Sequence, residues 1–402
     1  MNFDLLTATS LLLSAHESVI SLLGCMAAHS IRPINDVIPM TIPAGPIRGV
    51  SVIITAKDEA KDIESTVTHF LAQAHLPLEV IVVNDRSSDA TGAILDRLAA
   101  GDATGKLKVI HNSVLPKGWL GKSHACHLGV TTARHPWFLF TDGDVRLLQK
   151  EFLARVVAHC ELVSIDHLAL INDMRPMGVM KEAMVTVFGK MYALGTMAHE
   201  QNADRRRGGG GIGAFNLVRR SAYDRIGGHA AFPLDTGDDF KMGKLIKRWG
   251  FRQRLWHGFG SVHCRWHEGA FDVIRGLEKN FFGGFNYSLT LLTGFTVGLL
   301  ITVFGPLTLA TALLSGAIEA PPNGIAWALL PLAVQLGGYF LEWGMYGRKL
   351  GIRWFTPFTQ IAGAILILFA GWNSAYRILK RDGVAWRDSY YPLDELKRHQ
   401  IL

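Results

Sequence analysis

Short apolar runs alternate with amphipathic stretches between residues 50 and 140. Four of these runs, 50–54, 80–83, 107–110 and 137–140, have the length of buried strands. The stretch after the first run places its apolar residues on one helical face: Ile63, Val67, Phe70 and Leu71. Further helices are expected around 93–98 and 123–131. Strands this apolar are covered on both faces, and repeated strand–helix units imply a parallel sheet, so the pattern predicts a doubly wound α/β domain.

The last third of the chain is apolar in a different way. Three uncharged stretches, 280–318, 320–341 and 354–376, are long enough to cross a membrane. Near the amino terminus, residues 5–28 are also mostly apolar but carry His16 and Glu17 at their centre. An ionisable side chain in mid-bilayer costs about 2.5–3.5 kcal/mol on insertion scales, so a membrane span and an interfacial helix both remain open there.

These patterns divide the chain into four parts. We expect an apolar helix in residues 1–30, a catalytic domain with interfacial helices in 48–285, about three membrane helices in 286–377 and a basic tail in 378–402. Three crossings would put this tail on the side opposite the catalytic domain, against the positive-inside rule. We therefore favour a tail on the inside, with one stretch not fully crossing, for example at the Gly305-Pro306 break.

Composition and net charge limit the classes of molecule that this chain is expected to bind. The 402 residues carry a formal net charge of +7, which suits an anionic partner such as a nucleotide diphosphate or an acidic membrane face. The charge is too diffuse to indicate nucleic acid. The four cysteines lie far apart without a CxxC pair, which predicts plain thiols in a reducing compartment.

Polar residues follow each of the four predicted strands. The loops are 55–59, 84–91, 115–122 and the Asp142-Gly143-Asp144 sequence. Ligands of open α/β sheets bind at the carboxyl ends of the strands, and a pair of carboxylates there can hold a hard divalent cation. The alternative for the Asp-Gly-Asp sequence is an ordinary surface turn.

Taken together, these motifs resemble family 2 glycosyltransferases of the GT-A fold. The resemblance covers roughly residues 48–290 plus the tail, and further features resemble a membrane-bound subgroup that includes hopanoid-associated, carotenoid and ceramide-type glycosyltransferases. The motifs that match the family are Ser51 to Glu59, Val82 to Thr91, Gly121-Lys122, Phe140 to Asp144 and Gly237-Asp238-Asp239. Those that resemble the membrane-bound subgroup are Gly118-Trp119 with Gly121-Lys122, Gly213-Ala214-Phe215 with Arg219-Arg220, Ile226 to His229, Lys279-Asn280 and Trp386-Arg387.

The resemblance implies roles for individual residues on the donor side. Ala56, Asp58 and Glu59 would border the nucleoside, and Asp85 would accept a hydrogen bond from the base. Lys122 would lie near the nucleotide, where an ammonium group can meet phosphate charge. Asp142 would approach the ribose or the metal, and Asp144 would be the principal ligand of a Mg²⁺ or Mn²⁺ ion.

On the acceptor side the resemblance implies a general base. Asp239 matches the last acid of the family's Glu-Asp motif, and Asp238 stands in place of the glutamate, so either aspartate is a candidate. Asp58 likewise replaces an asparagine that is usual in the family. Arg265-Trp266 resembles a pair found in processive members, but Val262 stands where those have glutamine.

The function implied is that of an inverting, hexosyltransferase-type enzyme. It would use a nucleotide-sugar donor, most often UDP-linked, and a hydroxyl of a membrane lipid or isoprenoid acceptor. Its location would be the inner or plasma membrane with a cytoplasmic active site. Two alternatives remain: a polyprenyl-phosphate acceptor, which needs no strong base, and a non-catalytic membrane scaffold. A dinucleotide oxidoreductase is disfavoured because residues 55–59 contain no G-x-G-x-x-G loop.

Overall fold

The computed structural model describes residues 3–175, 177–318 and 324–399. The α-helices in chain order are α1 (Phe3–Ser30), α2 (Ile63–Leu71), α3 (Thr91–Ala100), α4 (Gly121–Thr132), α5 (Phe152–Leu162), α6 (Val179–Gly195), α7 (Ala198–Gln201), α8 (Arg220–Arg225), α9 (Asp238–Arg248), α10 (Ala270–Leu277), α11 (Leu289–Leu314), α12 (Gly324–Glu342), α13 (Gln360–Arg381) and α14 (Leu393–Arg398). The strands are β1 (Val50–Ala56), β2 (Leu78–Asp85), β3 (Leu107–Asn112), β4 (Trp137–Asp142), β5 (Val145–Leu147), β6 (His167–Ile171), β7 (Asn216–Arg219), β8 (Gln253–His257), β9 (Val262–Cys264), β10 (Gly383–Trp386) and β11 (Ser389–Pro392).

The chain forms two compact units, and each is built from separate segments. The helical unit comprises Met1–Ser30, Met177–Gly195 and His267–Leu393. The α/β unit comprises Ile31–Pro176, Thr196–Trp266 and Asp394–Leu402. The division therefore follows contacts in space, and α6 belongs to the helical unit although it lies between two parts of the α/β unit in sequence.

A seven-stranded sheet organises the α/β unit. Its order is β3-β2-β1-β4-β7-β6-β8, and only β7 runs antiparallel to its neighbours within this sheet. The four strands predicted from the apolar runs are confirmed as β1 to β4. The mostly parallel sheet flanked by helices confirms the expected fold class.

Apolar cores cover both faces of this sheet. Val52 and Ile54 of β1 belong to one core with Ile63, Val67 and Phe70, the predicted apolar face of α2. Ile53 points to the opposite core, which contains residues of α4 and α9. Because β1 is buried on both faces, a polar side chain there needs an internal partner. Ser51 is fully buried, and its hydroxyl donates to Glu79 Oε1 at 2.6 Å.

Strand register brings the polar loops to one edge. Thr55 of β1 pairs with Asp142 of β4, and Ala56 pairs with Asn84 of β2. Parallel strands in register end at the same edge, so the loops that follow β1, β2 and β4 lie next to one another.

Four helices of the helical unit are long and apolar enough to cross a membrane. They are Leu5–Ser30, Leu289–Leu314, Gly324–Gly347 and Thr356–Arg381. The amino-terminal stretch is thus one continuous helix of spanning length. The first residues of the predicted stretch 320–341 lie outside the described part of the chain, and its helix is described from Gly324.

Three of these helices form an antiparallel bundle. The Ser10 side chain donates to the Trp327 carbonyl, and Ser21 lies against Gly338, so α1 and α12 run in the same direction. α11 runs the opposite way, since His16 Nε2 lies 2.8 Å from Thr302 Oγ1 while Leu13, earlier in α1, lies against Gly305, later in α11. The Gln335 amide of α12 donates to the Thr302 carbonyl. The polar His16 at the centre of α1 is therefore satisfied by a neighbouring helix.

α13 lies across one end of this bundle. Before its first residue, Phe358 packs on Phe340 near the end of α12, with ring centroids 5.2 Å apart. Toward its last turn, Trp372 Nε1 donates to Thr296 Oγ1 near the start of α11, at 3.1 Å. In an antiparallel hairpin the end of α12 and the start of α11 are at the same level, so both ends of α13 contact the same end of the bundle.

α6 is the partner of α13 within the helical unit. Glu182 of α6 is buried, pairs with the Arg353 guanidinium at 2.7 Å and accepts a hydrogen bond from Thr356. Gly363 of α13 lies against α6, and a Cβ there would overlap the backbone carbonyl oxygen of Ala183. The two helices pack at backbone-to-backbone distance because this residue is glycine.

We predict that Gly363→Ala lowers the melting temperature of the detergent-purified protein. Alanine normally stabilises a helix interior, but overpacking costs about 1–3 kcal/mol, and here the added methyl meets backbone rather than a movable side chain. Gly189→Ala in α6 is the matched control, because a Cβ there has open space. Equal melting temperatures for the two variants would contradict the close packing of α6 on α13.

Candidate active site

The site is at the carboxyl edge of the sheet, where the loops after β1 and β2 hold each other in place. Asp58 accepts hydrogen bonds from the Ser88 amide at 2.7 Å and the Ser88 hydroxyl at 3.2 Å. The Glu59 amide donates to Thr91 Oγ1 at 2.8 Å. Asp58 adopts a left-handed conformation with φ 55°, which aspartate tolerates better than most residues. Ala56, the last residue of β1, is buried.

Asp85 ends β2 and is held by an ion pair. Its Oδ2 lies 2.7 Å from Arg86 Nη2, while its Oδ1 accepts from Arg86 Nε at 2.9 Å and from Asn112 Nδ2 at 2.7 Å. Only 4% of the residue is exposed. A Cβ on Gly121, the first residue of α4, would lie 2.6 Å from Asp85 Oδ2, so the ion pair packs against the start of that helix.

The next residue of α4 reaches the neighbouring carboxylates. Lys122 Nζ lies 2.6 Å from Asp142 Oδ1. Burial by itself would lower the pKa of Lys122, but the negative charges of Asp142, Asp238 and Asp239 outweigh burial and raise this pKa well above its usual value. The lysine is therefore fully charged and stabilises the surrounding carboxylates.

Gly213 marks the point where three charged groups converge. A Cβ at this residue would lie 3.0 Å from Asp142 Oδ2, 3.2 Å from Lys122 Nζ and 3.4 Å from Asp239 Oδ2. The residues come from β4, α4 and the first turn of α9, which are far apart in sequence. The absence of a side chain at Gly213 leaves the space in which they meet.

The two aspartates at the start of α9 differ in surroundings. Asp239 is half-buried, and its Oδ1 accepts from the Phe240 amide at 2.8 Å. Asp238 is buried, and its Oδ2 lies 3.8 Å from His229 Nε2, whose ring in turn contacts Tyr223 through Nδ1 at 2.8 Å. Asp239 is the more accessible carboxylate, and Asp238 faces the interior.

Both aspartates have raised pKa values. Burial raises the pKa of Asp238 to about 6, and the charges of Asp239 and Asp142 act in the same direction against Lys122. Burial also raises the pKa of Asp239, again opposed by Lys122. A carboxylate whose pKa approaches neutrality is a stronger base than an exposed one, which is the property that general-base catalysis requires.

Asp144 lies in the turn between β4 and β5. The antiparallel pair β5–β9 places Cys264 beside it, and the Cys264 thiol donates to Asp144 Oδ2 at 3.2 Å. Burial, followed by the charge of Asp142, raises the pKa of Asp144. Asp142 and Asp144 offer hard oxygen ligands, which divalent cations prefer. A bound cation would offset their negative charge and so favour the charged form of Asp144, which burial disfavours.

The structure also shows contacts that the sequence pattern did not reveal. Arg86 occupies both oxygens of Asp85, while His229, Cys126 and Asp238 place their ligand atoms within 4.8 Å of one another behind the site. Arg265 Nη2 lies 3.8 Å from Asp62 Oδ1, and Trp266 packs partly buried against the core. All four cysteines are free thiols, as expected.

Comparisons with known proteins agree with this architecture. Residues 51–227 match the sequence model of glycosyl transferase family 2. Among curated relatives, 4,4'-diaponeurosporenoate glycosyltransferase from Staphylococcus aureus strain bovine RF122 / ET3-1 is 26% identical over 240 residues, and that from strain MRSA252 is 26% identical over 234. The matches cover 58% and 57% of this chain and 60% and 59% of the relatives, respectively.

A solved structure is similar over nearly the whole chain. A mannosyltransferase from Pyrobaculum calidifontis, in complex with GDP-Man and Mn²⁺, superposes with a TM-score of 0.57 at 18% identity. The match covers 90% of this chain and 99% of that one. At this identity the likeness shows the fold, and it confirms the GT-A fold expected from the sequence.

We predict that Asp238→Asn stabilises the protein at about pH 8 by about 3 kcal/mol. The pKa of Asp238 is higher in the folded chain than in the unfolded chain, so the folded state takes up a proton between about pH 4 and pH 6. Wild-type stability therefore falls as pH rises through this window, whereas asparagine has no charge to bury.

Thermal unfolding at about pH 8 and at about pH 4.5 tests this, because the advantage of Asp238→Asn should largely disappear once the wild-type carboxyl is protonated. Asp224→Asn, at an exposed position in α8, is the control and should change neither melting temperature. A stabilisation that is the same at both pH values would exclude the charge as its cause.

Proposed function

Since this chain carries a family 2 glycosyltransferase domain over residues 51–227, we propose that it transfers a sugar from a nucleotide-sugar donor to a hydroxyl of a membrane lipid or isoprenoid, inverting the anomeric centre. The observation that carries this proposal is the convergence of Lys122, Asp142 and Asp239 around Gly213. The match covers only 60% of the length of the first relative, so the activity proposed here rests on Lys122, Asp142 and Asp239 and not on the relative's activity. The name of those relatives supports an isoprenoid-derived acceptor.

In the proposed mechanism Asp239 removes the proton of the acceptor hydroxyl. It is the more accessible of the two aspartates, its raised pKa suits a general base, and Asp238 supports it from the interior. Lys122 opposes the effect of burial on the pKa of Asp239 and lies where it can also meet phosphate charge. Because the acceptor is confined to the membrane, positioning supplies part of the acceleration.

The donor would be held at the same edge of the sheet. Asp142 and Asp144 are the candidate ligands of Mg²⁺ or Mn²⁺, an ion that would neutralise the leaving diphosphate. Ala56, Asp58 and Glu59 would border the nucleoside, with Asp85 facing the base. Since Arg86 engages both oxygens of Asp85, base binding through this carboxylate requires the guanidinium to move.

We predict that Asp239→Asn lowers kcat by about 10²–10⁴-fold, because the acceptor hydroxyl loses its base. The assay uses membranes, labelled nucleotide sugars and lipid extraction. Isothermal titration of UDP with Mn²⁺ should be unchanged in Asp239→Asn but lost in Asp144→Asn. Asp224→Asn should be unchanged in both assays.

The same variant tests the second candidate acceptor class. The relatives are named for a carboxylate, 4,4'-diaponeurosporenoate, and a carboxylate or polyprenyl phosphate acceptor already carries negative charge. Full activity of Asp239→Asn would therefore favour an anionic acceptor over a hydroxyl. Absence of metal-dependent UDP and GDP binding in the wild-type protein would favour a non-catalytic scaffold. Binding of GDP without binding of UDP would mean that the donor nucleotide is GDP.

The membrane topology belongs to the same proposal. α1, α11 and α12 would cross the inner or plasma membrane as a bundle, with α13 lying in the interface at the cytoplasmic end. The segments that leave the bundle after Ser30 and after α13 then emerge at the same end. In this proposed topology the basic tail would lie inside, as the positive-inside rule prefers.

We predict that a cysteine at Ser315, in the turn after α11, reacts with a membrane-impermeant maleimide in intact cells, and that a cysteine at Asp388 reacts only after permeabilisation. Both positions are exposed. Cys25 is the half-buried native thiol and is replaced by serine in both variants. Labelling of the Asp388 position in intact cells would mean that α13 crosses the membrane.

A further inference from the structure

A cleft in the helical unit is lined mainly by positive charge. Its volume is about 200 Å³. It lies between α10 with the residues that follow it, the last turns of α13 and strand β10. The lining side chains that matter here are Arg275, Glu278, Lys279, Arg377, Arg381 and Trp386.

Four cations and one carboxylate line this cleft. The carboxylate, Glu278, is already engaged, since its Oε1 lies 3.2 Å from Arg377 Nε and accepts from Asn373 Nδ2 at 3.0 Å. The carbonyl end of α13 contributes roughly half a negative charge. Even with Asp272, which lies 3.5 Å from Arg275, the cleft retains an excess of positive charge.

Packing holds Lys279 and its segment in place beside the cleft. Lys279 Nζ lies 3.3 Å from the centroid of the Trp386 ring, so a cation–π contact joins the residues after α10 to β10. Ser374 Oγ donates to the Glu278 carbonyl at 2.7 Å, which ties the same residues to α13. Cations from two separate segments, α10 with the residues that follow it and α13, therefore face one concave space.

The helices that line this cleft carry exposed aromatic side chains. Phe271 of α10 is 74% exposed although the opposite face of that helix is buried. Tyr376 of α13 is 61% exposed, and Lys380 Nζ lies 5.5 Å from the centroid of its ring. Aromatic residues next to lysine and arginine at the end of an apolar helix are typical of the headgroup level of a bilayer.

We propose that this cleft binds the phosphate of an anionic phospholipid headgroup. Guanidinium and ammonium groups are the side chains that recognise phosphate, and basic pockets beside membrane helices bind lipid headgroups in this way. A phosphate diester at the bilayer surface reaches Lys279 and Arg381 without leaving the membrane. The bound lipid would fix α13 and the β10–β11 hairpin against α10.

Binding can be measured on the full-length protein in detergent, with no need for enzymatic activity. Short-chain phosphatidylglycerol is expected to raise the melting temperature of the wild-type protein, and short-chain phosphatidylcholine is not. In Lys279→Gln/Arg381→Gln the apparent affinity for phosphatidylglycerol should fall about tenfold or more, because two charge-assisted contacts are lost.

The matched control is Arg348→Gln/Lys349→Gln, which removes the same charge from exposed positions between α12 and α13. It should retain phosphatidylglycerol binding. A second cleft variant, Arg275→Gln/Arg381→Gln, guards against misfolding of the first, because the Arg275 side chain is 79% exposed and its loss removes little packing.

Two results would overturn the proposal. Equal losses in the cleft and control variants would mean that general charge attraction, and not the cleft, binds the lipid. Inorganic phosphate or pyrophosphate that stabilises the wild-type protein as strongly as phosphatidylglycerol, with the same dependence on Lys279 and Arg381, would assign the cleft to a soluble anion.

Discussion

The crowding of carboxylates around one ammonium group is the constraint on which the site depends. Asp142, Asp238 and Asp239 approach Lys122 from two elements of the α/β unit, and burial disfavours the charged form of both α9 aspartates. The sheet and its two cores must hold these groups together against their repulsion. Burial of these carboxylates is destabilising, and such a cost is common at catalytic sites.

Much of the α/β unit could be predicted from local pattern because β1 to β4 are short and largely apolar and because helices follow the first three. Beyond Asp144 the pattern no longer decides. β7 is only four residues long and runs antiparallel, and β5 pairs with β9 more than a hundred residues later. Such pairings depend on tertiary contacts that period and propensity do not encode.

The candidate site shows the same division between residue type and geometry. Asp142 and Asp144 could be singled out because they follow a buried strand at the edge where ligands of such sheets bind. Asp239 is a candidate only through the resemblance of Gly237-Asp238-Asp239 to the acidic motif of family 2 glycosyltransferases. The ion pair between Asp85 and the next residue, Arg86, could not be predicted from the sequence, because it depends on a left-handed backbone at Arg86, with φ 57°. The thiol of Cys264 reaches Asp144 only through the β5–β9 pair.

The contribution of α6 to the helical unit affects how the chain can be divided. Glu182 is buried and depends on Arg353 and Thr356 for its partners, and these come from the segment before α13. Removing the chain from α11 onward would leave the Glu182 carboxylate on an apolar surface without a positively charged partner. A water-soluble fragment would thus require redesign of α6 as well as removal of the carboxyl-terminal helices, because the boundary between the units does not coincide with any single peptide bond.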